Sequence, residues 1–191
     1  MHHGGGLVIP LVHVRRDGGP RGNVLVRLGL EGKIRPGDWP EVEARLAEGH
    51  EVVSLDPRGL GETRMRYKAA SIDDPTLAPA DEEAAYASPL SGVLANHVYN
   101  AQLLGRPYLF EMIEDVEIAT RFSREKLGAP RIVAAGRGEG EALASAASAV
   151  LTGVERWPEP VANPFGWRAT VESLQEIWPI QYLMPGGAYI R

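Results

Sequence analysis

Short apolar runs alternate with stretches of helical periodicity along most of this chain. Leu7 to Val14 is apolar enough for a first strand, and Asp17-Gly18-Gly19-Pro20 follows as a turn signal. Asn23 to Leu30 predicts a mostly buried strand, and Glu31 to Gly37 a polar loop. Asp38 is placed to cap the next helix, with Pro40 in its first turn and Glu41 three residues after the cap. That helix carries Val42, Ala44, Leu46 and Ala47 and stops at Gly49. Glu51 to Asp56 predicts a short strand ending in the turn Pro57-Arg58-Gly59-Leu60-Gly61.

Residues 64–92 are rich in Ala, Asp, Pro and Ser and read as a long insertion or lid. Ser91 to Leu104 predicts a short helix. Phe110, Ile113, Val116, Ala119 and Thr120 recur at helical spacing, so Phe110 to Leu127 predicts an amphipathic helix ended by Gly128. Arg131 to Ala135 is an apolar strand, Gly136-Arg137-Gly138-Glu139-Gly140 a sharp turn, and Glu141 to Val150 a small-residue helix. From Gly153 the chain becomes a tail rich in proline and tryptophan, including Trp157, Trp167 and Trp178. Proline removes a ladder donor, so the tail is a poor interior strand, expected to lay its tryptophans across the sheet. Strands alternating with helices predict an α/β class with a mostly parallel sheet flanked by helices, in one domain spanning 1–191 with a core at 7–152.

The chain has 191 residues, 44% apolar and 24% charged, ordinary values for a globular domain. A net charge of -5 gives no footprint for nucleic acid. The absence of cysteine excludes disulfides, thiolate metal sites and cysteine catalysis. No apolar run is long enough for a membrane helix, and the start Met1-His2-His3-Gly4 lacks the pattern of a secretory signal. Neither membrane nor nucleic acid is therefore expected as a partner. No metal and no organic cofactor is implied, and localisation is left open.

Strand, glycine turn and helix make the setting of a nucleophile elbow, G-x-S-x-G, in which a sharp turn lifts a serine hydroxyl above the sheet. Here Gly138 stands at the serine position. Further stretches agree with that setting. Glu51 to Asp56 followed by Pro57-Arg58-Gly59-Leu60-Gly61 resembles the "aliphatic strand, Asp-x-Arg-Gly-x-Gly" segment of α/β-hydrolases, most closely of their acetylxylan-esterase and dienelactone-hydrolase branch. Leu104-Gly105-Arg106-Pro107 and Trp178-Pro179-Ile180 with Leu183-Met184-Pro185-Gly186 fit the same branch.

The resemblance implies a partial α/β-hydrolase fold lacking the last strands, with a carboxylic ester hydrolase ancestry. It implies a sheet in which the second, fourth, third and fifth strands of the family are neighbours. It also implies an oxyanion hole of backbone N–H groups, carried over to Glu139 and to a residue near Gly29, Leu30 or Glu31. The family order is nucleophile, acid, histidine, yet no histidine or aspartate follows Gly138. A working Ser-His-Asp triad is thus not expected in this chain. An active esterase with atypical residues, or a noncatalytic binding module, are the other readings.

Arg58, Glu62, Glu139 and His97 are the side chains to consider for a ligand crevice. Loops at the carboxyl ends of parallel strands line such crevices. For Arg58 and Glu62 the competing reading is a structural brace of the turn, and for Glu139 a solvated glutamate at a helix start. For His97 it is an ordinary surface histidine. A small ester or carbohydrate-derived ligand would suit the resemblance. If the later strands are missing, Arg131 to Ala135 becomes an exposed sheet edge, which invites self-association, a partner chain or shielding by the tail.

Overall fold

The computed structural model describes residues 8–19, 22–29, 32–64, 93–138 and 140–158. They fall in two compact units. The first runs through Thr63 and resumes at Met112, and it contains the sheet. It holds β1 (Leu11–Val14), β2 (Asn23–Gly29), α1 (Trp39–Ala47), β3 (His50–Leu55), β4 (Ile132–Arg137) and β5 (Val154–Arg156). The second unit includes α2 (Val93–Leu103) and the start of α3 (Tyr108–Glu125). The rest of α3 and all of α4 (Gly140–Val150) belong with the sheet.

The five strands lie in the order β1-β3-β2-β4-β5. β1 runs antiparallel to β3, and every other pairing is parallel. The α/β class with a mostly parallel sheet is therefore present. Predominantly apolar runs, interrupted by Arg27 in β2 and Ser54 in β3, explain why β2, β3 and β4 sit in the middle. Parallel strands packed on both faces need buried residues at successive positions. Val24, Leu25, Val26 and Leu28 on β2, Val52, Val53 and Leu55 on β3, and Ile132, Val133 and Ala134 on β4 are all almost fully buried. Each such valine or leucine contributes about 1.5–3 kcal/mol by leaving water.

One expectation is overturned here. The strand around Arg131 to Ala135 is not an edge, because β5 pairs with it through Ile132–Val154, Val133–Glu155 and Ala134–Arg156. The Trp157 N–H continues the pairing by donating to the Ala134 carbonyl at 2.9 Å. The first residues of the tail thus shield β4, and the proposal of a partner at that edge falls. Pro158 comes only after the short strand has ended, so no ladder bond is lost. The Trp157 ring packs against a core cluster of Leu25, Val42, Val52 and Val133.

Two other expectations need correction. Asp38 does precede α1, but its side chain caps nothing there. Its backbone is already helical, with φ -90 and ψ -12, so its carboxylate turns away from the first N–H groups of α1. Phe110 was expected on the apolar face of its helix and is 40% exposed. Buried positions on that helix instead include Met112, Ile113, Asp115, Val116, Ala119 and Ser123. The proposed insertion at 64–92 lies, apart from Arg64, outside the described residues, as do Trp167 and Trp178 of the tail.

Candidate functional site

The carboxyl ends of the three central parallel strands β3, β2 and β4 carry the turns that hold most of the chemistry. The turn after β4 is built by three glycines with different jobs. A Cβ on Gly136 would lie 2.2 Å from the Gly140 carbonyl and the Glu141 nitrogen. One on Gly140 would lie 2.1 Å from the Leu28 carbonyl oxygen. Both distances are far inside contact, so these glycines let strand, turn and helix close on one another. Gly138 differs. Its φ is +56, and a Cβ there would meet nothing within 4 Å. The backbone takes the left-handed bend at the one place where side-chain space is open.

Next to Gly138 stands Arg137, whose side chain is 55% exposed and whose Nη1 donates to Asp38 Oδ1 at 2.5 Å. Asp38 is 2% exposed and collects donors from several directions. The Arg35 backbone N–H reaches Oδ2 at 2.9 Å, and Arg27 Nη2 lies 3.1 Å from the same oxygen. Arg35 Nε stands 3.8 Å away. Burial pushes the Asp38 carboxyl up, but the Arg35 N–H and the charges of Arg27, Arg35 and Arg137 outweigh it and hold the group below its ordinary value. Arg27 is itself buried in mid-strand, donating to the Lys33 carbonyl at 2.8 Å and facing Glu41 at 3.5 Å.

A second cluster follows β3. Asp56 is 1% exposed. It accepts the Glu62 backbone N–H at 2.9 Å and meets Lys33 Nζ at 3.3 Å. Lys33 also pairs with Glu62 at 2.6 Å. Burial lowers the affinity of Lys33 for its proton, yet Glu62 and Asp56 together raise it above the ordinary lysine value. Asp56 Oδ1 is buried with no hydrogen-bond partner. Gly61 is required at this turn, since its φ is +53 and a Cβ would fall 2.3 Å from the Asp56 carboxyl carbon. The Ser54 hydroxyl donates to the Lys33 carbonyl, fixing the loop that carries Lys33.

Of the residues singled out from the sequence, Gly138 lies in the turn immediately after an interior parallel strand. Arg58 and Glu62 both lie on the turn after β3, held in different pairs. Arg58 engages Asp115 of α3, and Glu62 is exposed and paired with Lys33. His97 is exposed on α2, in the other unit. Leu30, Glu31 and Glu139, the oxyanion candidates, lie outside the described residues. Arg27, Lys33, Asp38 and Arg137 were missed. An arginine inside an apolar strand was the available signal for Arg27, because a buried guanidinium demands a carboxylate partner.

Among the described residues no group of three His, Asp or Glu side chains is placed to hold a metal ion. No helix among them is long and apolar enough to cross a membrane. No protein-family model and no curated protein matches the sequence.

Proposed function

We propose that this chain is a noncatalytic relative of α/β-hydrolases of the acetyl-esterase type, using the crevice at the carboxyl ends of its parallel strands to bind a small ligand. The observation that carries the reading is the turn at 136–140. It follows an interior parallel strand, turns through a left-handed residue and leads into a helix, which is the setting an elbow requires. The strand order supports the same reading: β1-β3-β2-β4 corresponds to the 2-4-3-5 succession that the resemblance implies, and β5 continues it. At the position of the attacking hydroxyl stands Gly138, which offers no nucleophile.

The ligand class that follows is a small carboxylic ester or acid, or a carbohydrate-derived molecule bearing one. The purified chain incubated with p-nitrophenyl acetate is expected to release p-nitrophenol no faster than a Gly138→Trp variant, in which the crevice is filled. Saturable turnover in the wild-type chain, lost in the variant, would overturn the noncatalytic reading.

A further inference from the structure

We infer that His50 and Trp157 form a proton-operated latch: with His50 neutral the Trp157 ring stays docked and β5 covers β4, and protonation of His50 releases both.

His50 is the first residue of β3, and Trp157 is the residue after β5. Leu25, Val52 and Val133 stand in register across β2, β3 and β4, and the Trp157 ring packs on them. His50 lies two residues before Val52 and so shares its face of the sheet. The Trp157 ring therefore reaches from the border of the sheet back to β3, where it meets the His50 ring edge-on at 5.3 Å. Arg45 of α1 covers it, with its guanidinium carbon 4.3 Å from the ring centroid. The backbone of the same residue holds β5 in place, through the Trp157 N–H donated to the Ala134 carbonyl.

Each of the two rings has a buried nitrogen without a hydrogen-bond partner, Nδ1 of His50 and Nε1 of Trp157. The indole nitrogen is a donor only, whereas Nδ1 is an acceptor in one neutral tautomer and a donor in the imidazolium. Neutral His50 thus sets one acceptor beside one donor. Protonated His50 sets two donors in a buried contact that supplies an acceptor to neither.

The charges around the ring act in the same sense. α1 and the residue after it bring Arg45 and Glu48, and Arg131 stands just before β4. Glu48, the acid that favours a proton on His50, is engaged by Arg45 at 3.0 Å. From β5, Glu155 is held by Arg131 and Arg156 by Glu141. The register partner on β2 is uncharged Asn23. Glu51 belongs to the opposite face, where it pairs with His13 of β1 at 2.6 Å. Burial, Arg131 and Arg45 together hold the docked imidazole below its ordinary proton affinity. Taking up a proton therefore favours the undocked state. The element that yields is β5, because it has three residues and one neighbouring strand, whereas β2 and β3 are paired on both sides. Its release uncovers the outer edge of β4.

The test is hydrogen exchange by NMR on the full, isotope-labelled chain, corrected for the intrinsic pH dependence of exchange. Protection of the Trp157 backbone and indole N–H groups is expected to fall about threefold or more between about pH 8 and about pH 5, the window in which histidine titrates. The midpoint should match the titration of the His50 ring, and not that of His13 or His97. Interior amides of β2 and β3, such as Val26 and Val53, should keep their protection. His50→Phe is expected to hold the Trp157 protection constant across the same range, with His50→Gln taking its place if the phenylalanine variant does not fold. A Trp157 that is unprotected at high pH or equally protected at both ends would overturn the latch. So would a loss that follows His13 or His97, a loss shared equally by Val26 and Val53, or the same loss in the variant that cannot titrate.

Discussion

Arg58 closes on Asp115 through its backbone N–H at 2.8 Å and its guanidinium at 2.6 and 3.0 Å, tying the turn after β3 to α3. Asp115 is completely buried, while Arg58 is 20% exposed and also lies 3.7 Å from Glu114. Removing the arginine charge leaves a buried acid without its counterion, the costly way to break such a pair. Arg58→Met is expected to destabilise the chain by about 3 kcal/mol in urea unfolding. The double variant Arg58→Met/Asp115→Asn should recover part of that loss, because a neutral amide oxygen still accepts the Arg58 N–H. A double variant less stable than the single one would show that the pair is not the source of the effect.

The three turn glycines predict an order of tolerance. Gly136→Ala and Gly140→Ala place a methyl group inside backbone atoms and are each expected to cost about 3 kcal/mol or more, or to prevent soluble expression. Gly138→Ser meets open space and pays only for its left-handed backbone, about 1 kcal/mol. Thermal unfolding of the three variants side by side checks the order, and a Gly138→Ser variant less stable than the other two would contradict it.

Asp38 and Arg137 form one pair with unequal stakes. Asp38→Asn leaves the buried guanidinium of Arg27 with only the more distant Glu41 as a charged partner among the described residues and is expected to cost about 3 kcal/mol. Arg137→Gln removes a half-exposed partner and is expected to cost less than about 1 kcal/mol. The pH dependence has a defined sign. Asp38 is held below its ordinary value of 3.8 in the folded chain, so its contribution is present above that value and is lost as pH falls through the lower folded one. Acid unfolding followed by circular dichroism should show a shallower low-pH limb in Asp38→Asn.

His50 titrates in a separate window. Its ring meets Trp157 edge-on at a centroid distance of 5.3 Å, and Arg45 stacks on the other ring at 4.3 Å. Burial lowers its affinity for a proton and, with the charges of Arg131 and Arg45 acting in the same direction, outweighs the opposing pull of Glu48. The folded chain therefore binds fewer protons here than the unfolded one. Stability from this group is full above pH 6.5 and declines as pH falls through the lowered folded value. His50→Phe keeps the ring contact and removes the titration, so urea midpoints of this variant should change less than wild type as pH is lowered below 6.5. An identical slope in the two proteins would contradict the assignment.

The central strands and the helices that pack on them were legible because their cues are local. Val24 to Leu28 and Val52 to Leu55 are apolar runs broken only by Arg27 and Ser54, Ile132 to Ala134 is apolar throughout, and Gly49 and Gly128 stop helices with positive φ. β5 was not legible. Three residues, two of them charged, between Gly153 and Trp157-Pro158 carry no alternation long enough to register. Phe110 was misread because periodicity fixes the apolar face only to within a residue or so at a helix end. The glycine turn could be located in advance, but the arginines around it could not. Arg27 and Arg137 meet Asp38 across strand, loop and turn, and such contacts depend on register and crossover rather than on spacing along the chain.

The brevity of β5 has a consequence for life in a crowded solution. Two of its three residues, Glu155 and Arg156, are exposed, and both are engaged by neighbours of opposite sign, Arg131 and Glu141. A border so short and so charged gives a foreign polypeptide little backbone to zip onto and penalises any greasy segment that tries. The vulnerable apolar strand is thus fenced off by the cheapest means, a few hydrophilic residues laid alongside it.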